Sequence, residues 1–169
     1  GEIFNYRELR HALGEGEFVT TSDTDVILHA YHKWGTHLVD ALRGMFAFAL
    51  WDEVDQTLVC ARDRFGIKPF YYTVVDDVLY FASEVKALLP FLAEIETDRT
   101  ALQDYLTFQL CLRGKTLFQN VHELLPGHLL IVKNGHLDVR RYWDVEYNLD
   151  FDHSARFFED RLQEVLQES

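Results

Sequence analysis

Long apolar runs are missing from this sequence. The ~20 consecutive apolar residues that a membrane-spanning helix needs occur nowhere, because charges interrupt every apolar stretch. The opening GEIFNYRELR has no basic region leading into an apolar one, so it does not read as a secretory signal, and no initiator Met stands at its head. The expectation is a chain that was processed or that begins inside a longer protein. Cysteine is scarce: Cys60 and Cys111 lie far apart in apolar surroundings, where thiols pack as small hydrophobes in a reducing compartment. Free thiols and the cytoplasm are the expectation. Positive charge is short as well. Sixteen basic residues face twenty-eight acidic ones, a net charge of -12. That excludes nonspecific nucleic-acid binding, which needs a cationic surface to displace counterions.

Apolar residues make up 48% and aromatics 14% of the chain, too rich for disorder, and 169 residues suffice for one domain with a core. Asn5 with Glu8 predicts a capped helix through Ala12, ended by Gly14 and Gly16, with a brief strand over 17–20. Ser22 and Asp23 predict the start of a second helix whose apolar face is Val26, Ile27, Ala30, Tyr31 and Trp34, closed by Gly35. A third short helix falls at 36–42. The middle then changes character. Residues 45–51 (MFAFALW) and 57–61 flank a polar turn, and 69–75 and 78–83 flank Asp76–Asp77. Strand pairs with turns this short are antiparallel, since a parallel crossover needs a dozen residues or more. Further on come a helix over 99–108, a hairpin around Asn134–Gly135 and an amphipathic helix over 152–167 with Phe158, Leu162, Val165 and Leu166 aligned. Residues 144–152 read as a linker. The pattern is a layered α+β domain.

Seven motifs stand in fixed order: GEIFNYREL at Gly1, SDTDV at Ser22, RGMFAFALWD at Arg43, RDRFGIKPFYY at Arg62, FASEVKAL at Phe81, LPGH at Leu125 and RRYWD at Arg140. The set resembles, nearly end to end, the glutaminase half of glutamine-hydrolysing asparagine synthetases. The resemblance implies an αββα sandwich of antiparallel sheets between helices, the N-terminal nucleophile glutaminase fold, incomplete here at its N-terminus. In that family this domain hydrolyses glutamine, a second domain activates aspartate with ATP, and ammonia passes between them. The nucleophile is a Cys directly after the initiator Met, followed by an Arg and an Asn-Gly-Glu motif. By that match the chain opens inside the motif, at Gly1-Glu2, and stops before the family's Ser-Gly-Gly-x-Asp-Ser pyrophosphate loop. Residues 1–143 would be the back portion of the glutaminase, and 144–169 a linker and first helix leading into the synthetase domain. ATP and Mg²⁺ belong to that second domain, with none expected in this part. Glutamine is the implied substrate here, aspartate and ATP the partners through the second domain. No nucleic acid or membrane is implied, and a homodimer is left open.

Residue by residue, Gly1 matches the oxyanion-hole glycine whose N–H meets the charge developing on the attacked carbonyl; alone it reads as a turn glycine. Glu2 matches a glutamine contact and otherwise reads as a solvated acid. Asp23 matches the carboxylate that holds the substrate's α-ammonium, against a plain helix cap. Met45 and Ile67 match positions lining the ammonia passage, where an apolar wall suits neutral NH₃; both are also ordinary core types. Arg62 and Asp63 read as an internal ion pair fixing the turn at Gly66, and Glu84 as an anchor of a strand-to-helix turn. His29 and His32 share a helical face without further ligands, too poor a set for zinc. Cys60 and Cys111 show no partner-His pattern, and neither is at residue one, so neither serves as nucleophile. Two alternatives remain: an amidotransferase acting on another carboxylate acceptor, such as a dipeptide or sugar acid, and a noncatalytic glutaminase-like module of the kind seen in β-lactam synthetases.

Overall fold

The structure, a computed structural model, describes residues 1–14 and 18–168. Its centre is a four-stranded antiparallel sheet in the order β3 (Ala47–Asp52), β4 (Thr57–Arg62), β8 (His128–Lys133) and β9 (His136–Arg141). Alternation along β4 sends Val59 and Ala61 to one face and Leu58 and Cys60 to the other. The first face meets α1 (Tyr6–Leu13), α2 (Asp25–Trp34) and α3 (Leu38–Ala41), whose Leu9, Val26, Ile27, Ala30, Leu38 and Val39 join it in the larger core. The second face meets a three-stranded sheet in the order β6 (Val78–Ala82), β5 (Tyr71–Val75) and β7 (His122–Glu123). Between the sheets lie Cys60, Phe70, Leu124 and Leu130. Beyond the second sheet, Phe91 in a short 3-10 turn (Leu89–Phe91) stacks on Tyr80 of β6 at 4.2 Å.

The hairpins obey their turn residues. Asn134 and Gly135 adopt φ of 52° and 73°, and Asp76 and Asp77 of 50° and 61°, the left-handed pair that matches strand twist in two-residue turns. Helix α4 (Arg99–Phe108) spans the predicted range and is capped by Asp98, which accepts N–H bonds from Thr100 and Ala101. Gly35 closes α2 at φ 58°, and Gly14 closes α1. Residues 143–150 carry no regular structure. They precede α5 (Ala155–Glu168), where Phe158, Leu162, Val165 and Leu166 are exposed.

Four expectations change. The apolar run at 45–51 is not one strand: β2 (Gly44–Met45) pairs with β1 (Glu2–Ile3), β3 pairs with β4, and the break falls at Phe46. The predicted third helix begins as a 3-10 turn, Gly35–His37. Of the expected strand at 17–20, Glu17 lies outside the described residues, as does Gly16, and the rest is a bend. Asn5 precedes α1 but makes no side-chain cap, and Glu8 reaches Arg43 at 2.6 Å instead of returning to the helix start. The Asn5 side chain is spent elsewhere.

Candidate functional site

The site candidates cluster where the chain's first strand meets β2. Glu2 sits opposite Met45 and Ile3 opposite Gly44. This contact is so close that a Cβ on Gly44 would lie 2.1 Å from the Glu2 carbonyl oxygen. A Cβ on Gly1 would lie 2.9 Å from the Met45 carbonyl and 3.2 Å from the Phe46 Cα. Both positions therefore need glycine for approach of one backbone to another. Ile3 is buried and anchors the strand in the core, while Gly1 and Glu2 remain exposed.

Asp23 reaches the same strand from the far side. Its Oδ2 accepts the Ile3 N–H at 2.8 Å. Its Oδ1 has only long contacts, 3.4 Å each, from the Ser22 and Thr24 hydroxyls. Helix α2 begins at Asp25, and Ser22 Oγ accepts the Thr24 N–H at 3.2 Å. Asp23 is thus not spent as a cap; one oxygen holds the site strand, the other has only those long contacts, and the residue as a whole is half-buried. Its neighbour Asp25 accepts the Thr20 N–H at 3.0 Å, and this bond chiefly holds the Asp25 carboxyl below its usual range.

The second half of the site is the 63–68 loop. Asp63, 1% exposed, accepts N–H bonds from Phe65, Ile67 and Lys68, and its own N–H donates to the Phe46 carbonyl at 2.8 Å. Through that one residue the Met45–Phe46 backbone and Ile67 are brought to the same place. The Ile67 side chain is 55% exposed and Met45 is half-buried.

Arg62 is not paired with Asp63. Its guanidinium, in a side chain 6% exposed, binds Glu123 at 2.6 Å and the carbonyls of Leu124, Lys68 and Gly66. Tyr142 closes the far side by donating its hydroxyl to the Arg62 carbonyl at 2.7 Å. The two residues fix the turn separately: the arginine through carbonyls and Glu123, the aspartate through N–H groups. Arg64 then serves α3, donating to the carbonyls of Leu42 and Asp40 and so satisfying helix-end acceptors.

Glu84 lies away from this cluster, its carboxylate on Lys86 at 2.6 Å and exposed; the adjoining turn is held by its backbone carbonyl instead. His29 faces Asp25 at 3.9 Å and packs on Phe18. Cys60 is buried and burial pushes its thiol up to about 12, far from thiolate at neutral pH. Cys111 is half-buried, and burial raises it also. Among the described residues no helix is long and apolar enough to cross a membrane. Sequence reasoning missed Asn5, Gly44 and Glu123. The glycine in RGMF was a visible signal; nothing local marks Glu123 as the partner of an arginine 61 positions away.

This architecture has solved counterparts. The glutamine phosphoribosylpyrophosphate amidotransferase of Bacillus subtilis, solved with ADP and GMP, superposes with a TM-score of 0.58 at 21% identity, covering 84% of this chain and 28% of that one. The fold is that of the layered N-terminal nucleophile amidotransferases. The family model described as a glutamine amidotransferase domain matches residues 1–143, and the chain belongs to that family. Glutamine-hydrolyzing asparagine synthetase 1 of Bacillus subtilis is 42% identical over 150 residues, covering 87% of this chain and 24% of that protein. Amidase chyE of Penicillium rubens is 40% identical over 167 residues, covering 98% of this chain and 24% of that protein. The chain thus spans about a quarter of the length of these relatives.

Proposed function

We propose that this chain supplies the glutaminase part of a glutamine-hydrolysing asparagine synthetase, releasing ammonia for ATP-dependent amidation of aspartate. The observation that carries the reading is the 2.8 Å bond from the Ile3 N–H to Asp23. It ties the acid suited to an α-ammonium to the strand bearing Gly1 and Glu2. In the parent protein the nucleophile is a cysteine ahead of Gly1, with its own α-amine as base. The peptide N–H of Gly1 stabilises the oxyanion, while Asp23 Oδ1 and Glu2 hold the glutamine backbone end. Met45 and Ile67 line the exit of neutral ammonia. Residues 1–143 form the glutaminase portion, and 144–169 lead toward an ATP- and Mg²⁺-dependent synthetase domain. The setting is cytoplasmic, with a homodimer as the assembly to test.

The match to Amidase chyE across 98% of the chain supports a second reading, an amidotransferase with a different carboxylate acceptor. Product formation with aspartate against other acids separates the two.

The test of the glutamine site is Asp23→Asn in the full-length parent. Asn retains an acceptor for Ile3 but removes the charge facing the ammonium. Losing one partner of a desolvated charge pair costs about 2–4 kcal/mol, or roughly 30- to 1000-fold in glutamine use. Synthesis from free ammonia bypasses this site. The ratio of glutamine-dependent to ammonia-dependent product should therefore collapse; an unchanged ratio makes Asp23 structural and removes the assignment.

A further inference from the structure

Strand β1 is two residues long and pairs with only two residues of β2. Two rungs hold a strand weakly, yet the direction of the Gly1 N–H and the reach of Glu2 depend on this strand. The next residues explain how it is held. The Phe4 N–H donates to the Arg43 carbonyl at 2.8 Å. Asn5, 9% exposed, then turns its side chain back along the ladder. Its Nδ2 donates to the Ala41 carbonyl and its Oδ1 accepts the Arg43 N–H, both at 2.9 Å. One donor and one acceptor, side by side, reproduce what a peptide group on a longer strand would offer. Meanwhile the Asn5 carbonyl accepts the Leu9 N–H at 3.1 Å and so starts α1.

We propose that Asn5 is a positioning residue for the glutamine site, its side-chain amide serving as a surrogate rung that locks β1 onto the α3–β2 segment. The proposal rests on the reading of Gly1 and Glu2 as glutamine-site residues. The amide is specific to the place. Aspartate would set an oxygen against the Ala41 carbonyl, and leucine would take from both the half-buried Ala41 C=O and the Arg43 N–H the partner they have here. Asn5 also forgoes the cap its sequence position offers, so the side chain serves the strand and not the helix. On the other side of the strand Asp23 holds Ile3. The site strand is clamped between a carboxylate on one flank and an amide on the other.

The experiment uses Asn5→Asp and Asn5→Ser in the full-length parent. A displacement near 1 Å of a group that acts in the transition state costs about 100-fold. Asn5→Asp should therefore lower kcat/KM for glutamine hydrolysis roughly 10- to 100-fold, through kcat as Gly1 shifts and through KM as Glu2 does. Synthesis from free ammonia should persist. Asn5→Ser, whose hydroxyl can take one of the two partners, should fall between and guards against a variant that fails to fold. Amide hydrogen exchange over residues 2–4 should quicken in both variants while β3 and β4 keep their protection. Native exchange over residues 2–4 together with native kcat overturns the proposal. If the unmodified parent hydrolyses no glutamine, the reading of the site falls instead, and exchange alone still decides whether Asn5 is the clamp.

Discussion

Asp23 and Asp63 both hold backbone N–H groups in place, yet their surroundings differ. Around Asp63 the chain is closed: the carboxylate is 1% exposed and each oxygen is occupied by loop amides, with Arg62 and Tyr142 packed behind it. Around Asp23 it is open: one oxygen is used, the other has only 3.4 Å contacts, and Gly1 and Glu2 beside it are exposed. Saturated hydrogen bonding marks an acid that builds the scaffold. An acid with one oxygen in reserve can still bind something. The two carboxylates are therefore separated by what remains unspent on them.

The strongest way to sharpen that contrast is Asp63→Ala. Three loop N–H groups lose the buried carboxylate that accepts them, and stability should fall on the order of 3–4 kcal/mol, read by urea unfolding. A loss under about 1 kcal/mol would mean that the loop is held otherwise. Next comes Ile67→Asp. Its backbone is fixed by Asp63 while its side chain is exposed, so stability should change by about 0.5 kcal/mol or less. In the full-length parent the ratio of glutamate released to amide product should nonetheless rise several-fold as nitrogen is lost on the way; unchanged stoichiometry would remove Ile67 from the passage.

Asp98 supplies an intermediate case: a surface cap whose carboxyl is held below its usual range chiefly by the Ala101 N–H, with Thr100 adding to it. A depressed folded value means the stabilisation is complete above the ordinary ~3.9 of an aspartate and is lost as pH falls through the folded value. Asp98→Ala should cost about 1 kcal/mol at neutral pH, measured by thermal unfolding. Asp98→Asn should keep the cap and flatten the acid limb of the stability curve, and an unchanged limb would assign that acid sensitivity to other groups.

Much of the layered fold was legible because it is built from local signals. The apolar face of α2, the Asn134–Gly135 turn and the helix over 99–108 each announce themselves within about ten residues. The ordered motifs carried the family as well. What stayed hidden is pairing between distant segments. Periodicity predicts a strand over 45–51 but says nothing of two partners, so the break at Phe46 was invisible. Asn5 beside Glu8 satisfied a capping pattern, and only the position of Arg43, 38 residues away, diverts its side chain. Arg62 followed by Asp63 invited pairing of neighbours, whereas β4 ends at Arg62, whose guanidinium goes to Glu123 while Asp63 turns to the loop amides.

The pairing of Glu2 with Met45 has a consequence for the order in which the chain assembles. Closing that contact ties a loop of about forty residues, a slow and entropically costly step compared with forming the helices inside it. In the folded chain the strand that carries Gly1 is tied to Arg43, which follows α1, α2 and α3 in sequence. Its docking adds little buried surface beyond Ile3. On warming, this two-rung contact should open before the core does, which faster amide exchange over residues 2–4 than over β3 and β4 would show.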